Sequence, residues 1–146
     1  MRKHLLTAIC VSSLLFALPA GASKESKAAK LYQHYYNVYM VNAYNKGIHE
    51  QNSSSPNTET AGIDLEVAAI HRFDNKIQTI RFPSSDKAAL NSVLTETSVL
   101  VSLDRTLAIN TSSTSNYNSL FSGVVTAEAS CTAAINALAK KLGMNW

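Results

Sequence analysis

Hydrophobic positions recur at three- and four-residue steps over four stretches of this chain, the pattern of amphipathic helices. The spacing predicts a first helix over about 23–50, with Leu31, His34, Val38, Val41, Asn45 and Ile48 on its inner face. A second, over about 60–82, carries Ile63, Glu66, Ile70, Phe73, Ile77 and Ile80. A third, over about 85–109, carries Leu90, Val93, Thr97, Leu100, Asp104 and Leu107. The fourth, over about 117–142, carries Phe121, Val124, Glu128, Cys131, Ile135, Leu138 and Leu142.

Breakers separate these stretches. NSSSPNT (52–58) ends the first, and Pro83 stops the second, because proline cannot continue a helix and disfavours α geometry just before it. Ser84 or Ser85 is placed to cap the third helix, with Asp86 near its N-terminal dipole. NTSSTSN (110–116) parts the third from the fourth, and Lys140, Lys141 and Gly143 mark the final stop. Four helices with one tight turn predict an all-α fold, an antiparallel four-helix bundle connected up-down-up-down.

Residues 1–22 stand outside that pattern. A basic start (MRKH), the apolar run LLTAICVSSLLFAL, and small residues Ala20 and Ala22 before Ser23 have the layout of a cleavable secretory signal. The run is shorter than the ~20 apolar residues that span a bilayer. The expectation is an exported product, periplasmic or extracellular, forming a single domain over 23–146.

Export changes the reading of charge and cysteine. Removing Arg2 and Lys3 from the 13 Lys and Arg leaves 11 against 10 Asp and Glu, a formal net charge of +1. No basic patch remains to argue for nucleic acid, and no later segment is apolar enough for stable membrane insertion. Of two cysteines only Cys131 lies beyond the signal, so no internal disulfide is available. Its seam position marks it as an inert core thiol.

Two groups of residues are conspicuous. In KLYQHYYNVYMVNAYNKGIHE (30–50), Tyr32, Tyr35, Tyr36 and Tyr39 are neighbours at three, four and seven residues. They predict an aromatic stripe on one flank of the first helix, suited to contact with an unidentified protein partner. The competing reading has a neighbouring helix cover the stripe. The second group interrupts the seams. Folding the helices back at their turns brings Asn45, Glu66, Asp104 and Glu128 to one level, within about one turn or ~7 Å. His34 falls outside that level.

An oxygen-rich layer of this kind is chemically open to a divalent metal or a small ligand, although no loop motif preorganises it. The plainer reading places the layer at the mouth of the bundle, its carboxylates wetted and neutralised by Lys46 or Arg105. No other cofactor is expected. The chain has no Glu-x-x-His pair for a di-iron bundle, no His-Glu-x-x-His zinc motif and no Cys-x-x-Cys-His haem attachment. It also lacks a Gly-x-Ser-x-Gly elbow and a glycine-rich phosphate loop. A bundle this small offers little cleft for a glycosidase-type carboxylate pair. A non-enzymatic role is the expectation.

The stretch HRFDNKIQTIRFPSSDKAAL (71–90), with LAKKLGM (138–144), resembles a pattern in small exported bacterial helical-bundle proteins without an assigned activity. A helix ends at an aromatic-proline pair, the next opens on a capped turn, and the chain closes on Leu-Gly. The resemblance implies the same architecture and no mechanism. Two uses therefore stand open: an interaction module (inhibitor, immunity-type or adaptor) built on the tyrosine flank, or a metal- or small-ligand-binding bundle built on the polar layer.

Overall fold

A computed structural model describes residues 26–51, 56–110 and 114–144. The expected signal, 1–22, and residues 23–25 of the expected first helix lie outside these. Among the described residues all regular secondary structure is helical, with no strand.

Helix α1 starts at Lys27, where the Ser26 hydroxyl accepts a hydrogen bond from the Ala29 amide at 3.1 Å. It is α-helical over Lys27–Tyr35, π-helical over Tyr36–Tyr44, and α-helical again over Asn45–Gln51. Helix α2 spans Pro56–Ile77. It opens four residues earlier than the pattern predicts because Pro56 begins the helix instead of breaking the chain, its missing N–H falling where none is needed.

α2 also stops at Ile77, short of the expected 82. Gln78 Nε2 donates to the Asp74 carbonyl at 3.1 Å and the Thr79 hydroxyl to the Lys76 carbonyl at 2.7 Å, satisfying carbonyls of the last turn. Ile80 then turns into the core, with Phe82 packed against it.

A 3₁₀ turn over Ser84–Asp86 leads into α3, Lys87–Ile109. The expected serine cap is absent: Asp86 holds the N-cap position without a side-chain cap bond, and Ser85 donates its hydroxyl to Asp86 Oδ1 at 2.9 Å. Helix α4 covers Thr114–Lys141. Its end is as the sequence predicts. Gly143 adopts a left-handed φ of 78° and Met144 N–H bonds the Ala139 carbonyl at 3.0 Å.

The helices pack α1 on α2, α2 on α3 and α3 on α4. Ile63, Ile70, Phe73, Ile77, Val93, Leu100, Leu107, Val124, Cys131, Ile135 and Leu138 form the centre of one core, on the faces the spacing predicts for α2, α3 and α4. The α1 and α4 backbones approach mainly along Lys27–Tyr35.

The face predicted for α1 needs correction. His34 and Val38 are exposed, Leu31, Val41 and Asn45 are half-buried, and only Ile48 is fully inside. The large buried side chains are instead Tyr32, Tyr36, Met40, Tyr44 and Ile48, spaced by four. In an ordinary α-helix, steps of four drift by about 40° each and would carry such a row around the helix. The wider i→i+5 turn over 36–44 underwinds the helix and holds the row on one face.

Candidate functional site

Four helices meet at one polar layer. α1 supplies Tyr44, α2 Glu66, α3 Asp104 and α4 Glu128. The three carboxyl-bearing residues are 1 %, 0 % and 6 % exposed. The expected wet bundle mouth is therefore incorrect: the three acids are shielded from solvent.

Tyr44, also fully buried, donates its hydroxyl to Glu128 Oε1 at 2.6 Å. Both oxygens of Asp104 and Oε1 of Glu66 have no hydrogen-bond partner, and neither has Oδ1 of Asn45, the residue after Tyr44. Asn45 itself is half-buried.

Among the described residues no buried cation compensates these groups. Every lysine, arginine and histidine among the described residues is exposed. Lys46 points to solvent, and Arg105 Nη2 meets His71 Nε2 at 3.1 Å on the surface. The neutralising role expected of these two is therefore not the one they play.

A carboxylate deprived of water and of a counter-charge holds its proton more tightly. Burial first, then the neighbouring Asp104 and Glu128, push the Glu66 carboxyl up to about 9. Burial and Glu128 push Asp104 to about 7. Glu128 is also raised by burial, with the Tyr44 hydrogen bond pulling the other way. Tyr44 is pushed well above the usual phenol range by burial and then by the three acids.

Acidity extends along the core. On α2, Asp74 accepts the Thr97 hydroxyl of α3 at 2.9 Å through Oδ2, while its Oδ1 has no partner. Burial raises its carboxyl to about 6. Cys131 on α4 lies within electrostatic reach of Asp74, Glu96, Glu128 and Asp104, and burial followed by these acids pushes its thiol up to about 12. Asp74 was not visible as a site residue in the sequence because it sits one position off the α2 seam.

Among the described residues no group of three or more His, Cys, Asp or Glu side chains stands in an arrangement that could hold a metal ion. Tyr44, Glu66, Asp104 and Glu128 lie within electrostatic reach of one another; the seams group the three acids with Asn45 and leave out Tyr44, which the misphased first helix hid.

The tyrosine flank is divided. Tyr32 is fully buried, donates to the Ile135 carbonyl at 3.2 Å and packs against Phe73 with ring centroids 5.9 Å apart. Tyr36 is buried against the same Phe73. Tyr35 and Tyr39 remain half-buried, their ring centroids 6.4 Å apart, with the His34 ring 5.5 Å from Tyr35 and Val38 37 % exposed beside them.

No helix of the described residues is long and apolar enough to cross a membrane. Compared with protein-family models, curated proteins and solved structures, the chain finds no match.

Proposed function

We propose that this is a small exported, non-catalytic binding bundle, connected up-down-up-down, whose ligand site is the layer of Tyr44, Glu66, Asp104 and Glu128 and whose ligand is the proton. One observation carries the reading: three carboxyls from three helices share a sealed layer while every described lysine, arginine and histidine faces solvent. Burial without a counter-charge is tolerated when the acids are neutral, so the site is filled by protons. A divalent ion is less suited, since these side chains do not stand as a ready set of metal ligands.

The test is a carboxyl titration. Infrared or carbon-13 NMR spectra of the protein, compared with Glu66→Gln and Asp104→Asn, are expected to show carboxyls that still titrate above pH 6 in the wild type and vanish singly in each variant. Carboxyls that all titrate in the ordinary range near 4 would overturn the reading. A parallel melt with Mn²⁺, Zn²⁺ and Ca²⁺ distinguishes the metal: a layer-dependent rise in Tm would make the ion, not the proton, the ligand.

A second reading is supported by the outer edge of α1. With Tyr32 and Tyr36 inside, what remains of the expected flank is the half-buried pair Tyr35 and Tyr39, beside the exposed His34 and Val38. Such paired, half-buried aromatic rings suit contact with a protein partner. Loss of a captured partner in Tyr39→Ala, with its melt unchanged, would support that use. Export is supported by the signal-like layout of 1–22 and by the resemblance of 71–90 and 138–144 to small exported bacterial bundles.

A further inference from the structure

We propose that one end of the bundle is a docking face for an anionic lipid bilayer, on which the protein rests without inserting. The proposal does not depend on the protonation of the buried layer.

The first observation is where the charges of the chain are placed. Seven of the described cations, Lys27, Lys30, Lys76, Arg81, Lys87, Lys140 and Lys141, stand at the same end, and all seven are exposed. They come from the first turn of α1, the last turn of α2 and the turn beyond it, the start of α3 and the last turn of α4. Tyr32 ties those parts together. From α1 it packs against Phe73 of α2 and against Phe82 in the turn that leads to α3, and its hydroxyl bonds the Ile135 carbonyl of α4. No stretch of sequence shows the patch, because its members are spread from 27 to 141 and only the fold gathers them.

The acids do not offset it. Among the described residues this end has two carboxyls, and both turn inward: Asp86 is buried, and Asp74 is half-buried with Oδ2 on the Thr97 hydroxyl. Glu66, Asp104 and Glu128 are sealed inside. The opposite end is mixed, with Lys46, Arg105, Glu50, Glu59 and Asp64 all reaching its surface. A nearly balanced composition thus hides a molecule with its cations gathered at one pole.

The second observation is that the helix ends do not account for these charges. Lys76, Lys140 and Lys141 lie in last turns, where a cation suits the negative end of the helix dipole. Lys27 and Lys30 stand in the first turn of α1, where the dipole favours acids and none is present. Lys87 opens α3 beside a single acid, the buried Asp86, and Arg81 lies between helices. Positive charge has collected here against local preference, which points to a partner outside the chain.

The residue types select the partner. Six of the seven are lysines, compact point charges without the planar fork that reads carboxylate or phosphate bidentately. Lysine is also depleted in protein interfaces. Among the described residues no exposed aromatic ring stands at this end to stack on a base: Phe82 is half-buried, and Tyr35 and Tyr39 lie along the flank of α1. An anionic bilayer asks only for charge near its surface. The signal-like segment 1–22 also joins α1 at this end, so the bilayer of the export route is the anionic surface nearest to it.

The experiment is co-sedimentation of the whole chain, expressed in its own host so that its N-terminus is processed natively. The vesicles are phosphatidylcholine alone, or phosphatidylcholine with an equal part of phosphatidylglycerol. Binding is expected to the mixed vesicles only, weakening by about tenfold or more between about 50 and 200 mM salt. Lys30→Gln with Lys87→Gln should weaken it about 25-fold, at about fivefold per lysine near the surface, with Tm unchanged. Should that pair fail to fold, Lys27→Gln with Arg81→Gln repeats the test on the same face. Lys46→Gln with Arg105→Gln removes as much charge ~27 Å away along the bundle, beyond the reach of the surface potential, and should change binding by less than about twofold. No binding to the mixed vesicles, equal binding to both kinds, or equal losses in the two pairs would overturn the docking face. Duplex DNA that strips the protein from the vesicles at equal phosphate concentration would overturn it in favour of nucleic acid.

Discussion

Tyr44 and Glu128 stand 84 residues apart in sequence and meet at 2.6 Å across the α1–α4 join, the hydroxyl donating to a carboxyl oxygen. The bond favours the charged form of Glu128, opposing the burial that raises its carboxyl. Tyr44→Phe keeps the ring and removes the donor. Its cost should therefore depend on pH: about 1 kcal/mol where Glu128 is protonated and about 2–3 kcal/mol where it is ionised. Urea unfolding at pH 4.5 and pH 8.5 measures the difference, and equal costs at the two values would show that the hydroxyl does not act on the charge.

Glu66 sets the sign of the whole pH profile. Its folded-state value, about 9, lies above its ordinary 4.5, so the folded protein holds a proton that the unfolded chain gives up. The stability this contributes is complete below 4.5 and is lost as pH rises to 9, at up to about 1.4 kcal/mol per unit. Asp104 and Asp74, raised to about 7 and about 6 from 3.8, act in the same direction over lower windows. The protein should be most stable in mild acid. Glu66→Gln should be nearly neutral at pH 4 and stabilising by pH 8, seen as diverging Tm curves; parallel curves would refute the assignment.

The first helix reverses an expectation of the sequence. Tyr36→Ala, read as a surface change from the heptad phase, now empties a buried aromatic position beside Phe73 and should cost about 3–5 kcal/mol. Tyr39→Ala, half-buried on the outer strip, should cost no more than about 1 kcal/mol. Paired thermal melts decide the matter, and a ranking in the opposite order would return Tyr36 to the surface.

The cause of that misreading is physical. On α2, the residues 63, 66, 70, 73 and 77 all lie inside as the spacing predicts, because the backbone there keeps 3.6 residues per turn, while Ile80 reaches the core from the turn beyond the helix. Thr97, Asp104, Glu128 and Cys131 were legible for the same reason. α1 carries two competing rows, Leu31-His34-Val38-Val41 and Tyr32-Tyr36-Met40-Tyr44, and the underwound turn selects the second. A strict spacing of four, filled by large residues throughout, was the available sign. The carboxyl layer could be placed from the seams, but its dryness could not, since sequence shows which residues share a level and not whether a lysine can reach them.

Cys131 should behave as a sealed thiol. It is 1 % exposed, and its proton is held up to about 12. At pH 7 the folded protein should react with a disulfide reagent several orders of magnitude more slowly than in denaturant, because the thiolate is the reactive form. Stoichiometric reaction within the mixing time of native protein would contradict the burial.

Gly47 tests the anchor of α1 on α2. A Cβ built there would lie 2.5 Å from Glu66 Cγ, 2.8 Å from the Gly62 carbonyl oxygen and 2.9 Å from the Glu66 amide nitrogen. The side chain could swing aside, but the two backbone atoms cannot, so alanine must push the helices apart. Alanine is the better helix former by about 1 kcal/mol, a gain that would show in an isolated helix. Here overpacking should outweigh it, for a net loss of about 1–3 kcal/mol. Separation of the helices would also disturb Glu66 and so alter the pH profile, which an overpacked site elsewhere in the core would not do. Gly47→Ala should therefore lower Tm and flatten its dependence on pH between 5 and 9. A stabilised protein with an unchanged profile would mean that the helices do not cross this closely.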